Sequence, residues 1–272
     1  MTKIADLEPD KREEAVSRIT NGETKNLRDV RKQWRKEQQE QREKEASESV
    51  DLSSIDCTVT EDQATVMCDA VITDPPYGIL EEDWEPDDLR SFTSDWLARW
   101  NESGADFIAS FWSQDSLYEG REWFDQALPD YTYQQTLVWH YANNKSPQSR
   151  QGFKQTWEPI LFYRRTDSAK EVTLKAGQWG DGINDFDCHV AAVPQTNFND
   201  VNRKQHPAQK PLSVMEWLVV ALTDIGDTVA DPFCGSGTTG VAALKHDRAF
   251  HGIEINDDYS ELARRRVATY AS

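Results

Sequence analysis

The stretch "DTVADPFCGSGTTGVAALKHDRAFHGIEIND", residues 227–257, decides the fold. A short apolar strand, "TVADPF", runs into Gly235-Ser236-Gly237-Thr238-Thr239-Gly240. A helix-forming segment, "TTGVAALKH", follows, and then a second apolar strand, "FHGIEI", with Glu254 at its end. Strand, glycine turn, helix and strand in that order describe one βαβ unit of a parallel sheet. The glycines permit a tight turn and close backbone approach, and the helix start offers unpaired N–H groups. An acid 19 residues after Gly235 suits a ribose diol. The unit therefore predicts a nucleoside-cofactor site. G-x-G-x-x-G with a distal acid also describes nicotinamide dinucleotide binding, whereas a P-loop is excluded because no Lys-Ser/Thr follows the glycines.

The same alternation extends back to residue 51. Further candidate strands are "DAVIT", "DFIASFW", "TLVWHY" and "PILFYRR". Candidate helices include 212–224, with Leu212, Met215, Leu218, Val219 and Leu222 on one face, and 257–270. Residues 51–272 thus predict an α/β domain with a doubly wound, largely parallel, Rossmann-like sheet. Residues 1–50 differ. Val16 and Ile19, then Leu27, Val30 and Trp34, recur at helical spacing around Asn21-Gly22, while "RKEQQEQREKEASES" has almost nothing to bury. We read 1–50 as a helical N-terminal arm and a solvated linker.

A second stretch carries chemistry. In "ITDPPYGIL", residues 72–80, an apolar run ends in an acid, two prolines and a ring. Pro75 and Pro76 lack backbone N–H groups and fix φ near −65°, so the chain must leave the sheet there. Asp74 and Tyr77 would be held stiffly at a strand's C-terminal edge, where open α/β sheets bind ligands.

Composition sets bounds. With 272 residues and 38% hydrophobic content the chain can bury a real core. No apolar run reaches membrane-spanning length, and four scattered cysteines fit a reducing cytoplasm. The five histidines form no metal-ligand spacing, so no metal is implied. The net charge of −18 opposes a polyanionic partner. Its distribution weakens that objection: residues 1–50 balance 12 acids with 12 bases, and residues 140–210 hold ten Lys and Arg against seven Asp and Glu. The remaining acidity is of the kind halophilic proteins use.

"DPPY" (74–77), "HPAQKP" (206–211) and "DPFCGSGTT" (231–239), in that order, resemble the DNA amino-methyltransferases. The resemblance is to the beta group, in which the catalytic motif precedes the cofactor motif, and it spans about residues 51–272. It implies S-adenosylmethionine over the glycine turn. Asp231, Phe233, Gly235, Gly237 and Thr238 would line the cofactor, Glu254 would take the ribose hydroxyls, and Lys210 would hold the carboxylate end. "IDC" (55–57) resembles the family's strand-end Gly-Asp pair and would put Asp56 near the adenine amine, although Ile55 stands where glycine is usual.

The resemblance also gives the DPPY segment a task. An exocyclic base amine is a poor nucleophile because its lone pair is delocalised into the ring. Asp74 and the Pro75 carbonyl could accept its hydrogens, with Pro76 stiffening the pair and Tyr77 stacking on a flipped base. Asp at the first motif position points to adenine N6, with cytosine N4 as the alternative. DNA recognition is expected within about 140–205, with Lys145, Arg150 and Lys154 as contacts to double-stranded DNA. No endonuclease segment is present. A homodimer and a separate restriction endonuclease partner are both compatible with the sequence, which indicates neither. A nicotinamide oxidoreductase would leave DPPY idle.

Overall fold

The computed structural model describes residues 9–22, 30, 57–60, 66–77, 86–141, 143, 153–173, 186–194, 206 and 208–268. The chain divides into two compact units, Met1–Asp51 and Leu52–Ser272. In the first, helix α1 (Pro9–Thr20) stops at Asn21-Gly22, where Gly22 takes φ +77° and its N–H returns to the Ile19 carbonyl. This is the left-handed glycine stop that the Asn-Gly pair predicts. Of the second predicted helix only Val30 is described; Leu27 and Trp34 lie outside the described residues.

The second unit holds an eight-stranded sheet among the described residues, in the order β1-β8-β7-β2-β3-β5-β4-β6. The strands are β1 (Cys57–Thr60), β2 (Ala70–Thr73), β3 (Phe107–Phe111), β4 (Tyr131–His140), β5 (Trp157–Arg165), β6 (Cys188–Val190), β7 (Thr228–Asp231) and β8 (Ala249–Ile253). All run in one direction except β5, which pairs antiparallel with both β3 and β4. The largely parallel, doubly wound arrangement is therefore present. Side chains of β2 and β3 alternate between two cores, because successive residues of a strand face opposite sides. Ile72, Phe107 and Ala109 enter a core under helices α4 (Leu212–Leu222) and α5 (Thr238–Lys245). Val71 and Ile108 enter the other, under α2 (Leu89–Trp100) and α3 (Leu117–Ala127). Helices on both faces explain why β2 and β3 are wholly apolar or buried.

Several elements depart from the sequence reading. β4 begins at Tyr131, five residues before "TLVWHY", and its polar start is carried by pairing with β5 through a register shift at Tyr133/Gln135. The short edge strands β1 and β6 and the helices α2 and α3 fall outside the elements that the sequence pattern predicts. Helix α2 is fixed at its start by Asp88, whose carboxylate accepts the Ser91 N–H at 3.0 Å. The fifth described helix of this unit, α6 (Asp257–Ala268), closes the fold. The sheet's direction of winding reverses between β7 and β2, and the crevice above their C-terminal ends is where such sheets bind ligands.

Candidate active site

The chain leaves β2 at Thr73, since the prolines that follow cannot join a ladder, and Asp74 stands immediately past the strand end. Lys210 reaches it from the residue before Pro211, the cap of α4. Its ammonium, only 7% exposed, lies 2.6 Å from Asp74 Oδ2, 3.2 Å from Glu158 Oε2 on β5 and 3.4 Å from the Tyr77 hydroxyl. It also faces the rings of Phe111, Trp139 and Tyr77 at 5.0, 5.9 and 6.0 Å from their centroids. Burial pushes the Asp74 and Glu158 carboxyls above the usual range, against the pull of Lys210. Burial works to lower Lys210, yet Asp74, Glu158 and Tyr77 hold it well above the ordinary lysine range. Two buried oxygens of this cluster have no hydrogen-bond partner among the described residues: Glu158 Oε2, which has only the ion-pair contact with the ammonium at 3.2 Å, and Asp74 Oδ1.

The other end of the crevice is built from β7, α5 and β8. Asp231, 3% exposed, accepts the Thr73 hydroxyl at 2.6 Å, the Thr239 hydroxyl at 2.5 Å and the Phe233 N–H at 3.1 Å. It thereby ties the ends of β7 and β2 to the start of α5. Burial, offset by those three bonds, leaves its pKa at about 6. Gly237 caps α5 in the left-handed region at φ +76°, and a Cβ there would stand 3.0 Å from the Ala263 Cβ of α6. Glu254, just past β8, accepts the Gly235 N–H and the Asn256 N–H, both at 2.9 Å. Each of its oxygens keeps room for a further donor. Beside Gly235 lies the His206 ring, which a Cβ on that glycine would meet at 3.5 Å; the ring meets Tyr259 edge-on at 4.2 Å between centroids.

One cavity of about 600 Å³ joins the two ends. It brings together Asp74, Pro75, Pro76, Tyr77, Lys210, Asp231, Phe233, Gly235, Thr238 and Glu254, all singled out from sequence. Gly237 is the exception: it does not line the cavity but shapes the turn behind it, packed on α6. Lys210, expected at a cofactor carboxylate, makes ion pairs with Asp74 and Glu158. Asp56, Lys145 and Arg150 lie outside the described residues; Lys154 is exposed shortly before β5, beside the exposed Phe153. Glu158, His206 and Tyr259 line the cavity without having been assigned there. The signal for Glu158 was available, an acid inside the apolar strand "WEPILFY". Among the described residues no group of three or more His, Cys, Asp or Glu is arranged to hold a metal ion.

The sequence and the fold have counterparts. The family model described as DNA methylase matches residues 68–265. The DNA adenine methyltransferase YhdJ of Escherichia coli is 29% identical over 230 residues, which cover 73% of this chain and 76% of YhdJ. The type II methyltransferase M2.DpnII of Streptococcus pneumoniae is 46% identical over 134 residues, 48% of this chain and 49% of its own. Two solved structures share the fold. M1.HpyAVI with S-adenosylmethionine aligns with a TM-score of 0.56 at 23% identity, covering 77% of this chain and 99% of that one. The cytosine-N4-specific PvuII DNA methyltransferase aligns with a TM-score of 0.57 at 16% identity, covering 81% and 87%.

Proposed function

The chain belongs to the DNA methylase family, with S-adenosylmethionine as methyl donor, and from that premise we propose that it methylates the N6 amine of a flipped adenine in double-stranded DNA. The observation that carries this reading is the bare, buried Asp74 Oδ1 at one end of a cavity whose other end holds Gly235 and Glu254. A buried acceptor without a partner costs folding free energy, so its presence calls for a donor from the substrate. A base amine is such a donor.

The residues at the other end fit the cofactor. The glycine turn lets backbone approach closely, and Glu254, already held by two N–H groups, can accept the two hydroxyls of a ribose. When bound, S-adenosylmethionine supplies a methyl group on a sulfonium that an amine can attack. Everything else falls to the chain. Asp74 Oδ1 and the Pro75 carbonyl accept the two amine hydrogens, letting nitrogen become more tetrahedral. The proline pair keeps both acceptors in place, and Tyr77 offers a ring to the unstacked base. Lys210 serves the catalytic end, steadying Asp74 Oδ2.

Adenine is preferred to cytosine N4 because Asp opens the DPPY motif and because the relative YhdJ is named an adenine methyltransferase; PvuII methyltransferase keeps cytosine as the second reading. The nicotinamide reading has no support in the family match. We assign DNA approach to the basic stretch that contains Lys154, within 140–205, and treat 1–50 as an arm separate from the catalytic domain 51–272. Duplex DNA incubated with the enzyme and cofactor, then digested to nucleosides, should yield N6-methyldeoxyadenosine by mass spectrometry. N4-methyldeoxycytidine alone would transfer the site to cytosine, and no methylated base at all would end the proposal.

A further inference from the structure

The cluster at the catalytic end contains one more acid than Asp74 and Lys210 need, and no role has yet fallen to it. We propose that Glu158 is a positioning residue for methyl transfer. By sharing Lys210 with Asp74 it keeps one face of the Asp74 carboxylate open, and it leaves the cluster net negative where the target nitrogen becomes cationic. This inference rests on the proposed methylation of an exocyclic amine at this site.

Geometry comes first. A lysine ammonium has three donors and can fork across both oxygens of a single carboxylate. Here it does not. Nζ bonds Asp74 Oδ2 at 2.6 Å and lies 3.2 Å from Glu158 Oε2, which attracts the ammonium without an aligned hydrogen bond of its own. Asp74 Oδ1 is left without a partner. Remove the Glu158 charge and nothing on that side opposes a lysine that closes over both Asp74 oxygens.

Charge comes second. In the transfer the amine lone pair forms the N–C bond as the C–S bond breaks, the sulfur leaves as a neutral thioether, and positive charge passes to nitrogen. The charge disappears when one nitrogen-bound proton moves to Asp74 Oδ1 and from there to solvent. Asp74 and Lys210 alone cancel each other. Glu158 restores one negative charge in a site walled by Phe111 and Trp139, where water screens little.

The groups facing Glu158 are Lys210, Asp74, Tyr77 and Tyr141, with Asp231 beyond Asp74. Of these first four only Asp74 is a carboxyl, and burial moves both it and Glu158 upward from the ordinary carboxylate range. The acid limb of kcat should therefore report two ionisations above the usual carboxylate range.

The experiment compares Glu158→Gln, Glu158→Asp and Asp74→Asn with the full-length enzyme. Glu158→Gln should lower kcat by about 100-fold, the scale of losing one preorganised charged or polar group. Its KM for DNA, its S-adenosylmethionine affinity by calorimetry and its melting temperature should stay near wild type. Its acid limb should lose one of the two ionisations, and Glu158→Asp should recover part of the rate. Wild-type kcat and pH profile in Glu158→Gln would overturn the proposal, as would an acid limb with one ionisation in the unmutated enzyme. Equal losses of melting temperature and cofactor affinity in both Glu158 variants would also overturn it, reducing Glu158 to a structural residue. Asp74→Asn separates the levels: if it is inactive while Glu158→Gln is normal, only this inference falls. If Asp74→Asn methylates at the normal rate, the underlying reading falls with it.

Discussion

Asp231 and Asp74 stand at the ends of two adjacent parallel strands, β7 and β2, and meet opposite surroundings. Asp231 is surrounded by neutral donors fixed to the scaffold, two threonine hydroxyls and a backbone N–H, and both its oxygens are used. Asp74 is met by one lysine, which takes one oxygen and leaves the other bare. The same side chain, one strand away, is a structural clasp in one place and an open acceptor in the other. What differs is the donor set. Donors built into strands and helices complete a carboxylate, whereas a long side chain shared with a second acid leaves room for a substrate.

Asp74→Ala should have the largest effect. Methyl transfer should fall by about 100-fold or more, while melting temperature and S-adenosylmethionine affinity stay close to wild type. Tyr77→Ala should follow the same direction, because its ring is offered to the base. An Asp74→Ala enzyme that turns over normally would show that the bare oxygen has no catalytic task.

Asp231→Ala should give the reverse profile. It leaves the buried Thr73 and Thr239 hydroxyls without their acceptor, so chemical denaturation should show a loss of about 2 kcal/mol. Cofactor affinity should weaken with it, since the same clasp sets the start of α5, while the DNA sequence that is methylated stays the same. Glu254→Ala sharpens the contrast from a second side. Its carboxylate is held by two N–H groups at the surface of the cavity, so calorimetry should show about a tenfold weaker cofactor with little change in melting. Unchanged affinity in both variants would mean that the cofactor lies elsewhere.

The two ends of the site were unequally legible in the sequence. The glycine turn, Asp231 and Glu254 are local to residues 227–257, and a βαβ pattern fixes their neighbours, so their positions could be read directly. Asp74 and Tyr77 were also readable, because two prolines force the chain out of β2. Lys210 is legible as a motif residue, but its contacts with Asp74 and Glu158 are not. Its partners Asp74 and Glu158 lie 136 and 52 residues away, and only the sheet order, with β5 reversed beside β3, brings all three together. For Gly237 the turn is legible, but not that its outer face packs on α6. Helices α2 and α3 escaped because "LRSFTSDWLARW" and "LYEGREWFDQA" mix aromatic, charged and small residues, and their apolar faces show only once β3 and β5 supply a surface.

A smaller effect should appear in the dependence of stability on pH. Burial raises the Asp231 pKa to about 6, and it also raises Asp74, Glu158, Glu254 and Asp69. A raised carboxyl holds its proton more tightly in the folded chain than in the unfolded one. Its contribution is complete below the ordinary carboxylate pKa and is lost as pH rises through the folded value. Glu216 opposes this: although burial works to raise it, His246 and Lys245 hold it below its ordinary value, so its contribution is lost only at more acid pH. Melting temperature should therefore rise as pH is lowered from 7.5 to ~5.5, and Asp231→Asn should flatten part of that rise. A melting temperature that falls steadily over this interval would show that the clasp is not strained by its charge.

The smallest effect per group, and the most diffuse, concerns salt, and it sets the site apart from the surface around it. We propose that the acidity is an adaptation to high ionic strength. Of the net charge of −18, none arises in residues 1–50, and the basic stretch 140–210 leaves the rest of the catalytic unit more acidic still. Exposed acids stand at the helix starts, Asp87 and Asp88 before α2 and Asp257 and Asp258 in α6. At low ionic strength such a surface repels DNA and itself. At ~1 M salt the Debye length falls to roughly 3 Å, which screens that repulsion but leaves contacts at hydrogen-bond distance in place. The clasp on Asp231 and the Lys210 contacts are buried and should not respond. Most DNA-binding proteins lose affinity as salt rises because counterion release dominates. Here melting temperature and methylation should both climb from low KCl toward the molar range, with the Asp74→Ala and Asp231→Ala profiles unchanged in kind. If both quantities peaked near ~0.05 M and fell thereafter, counterion release would dominate here as elsewhere, and the acidic surface would have to serve something other than salt.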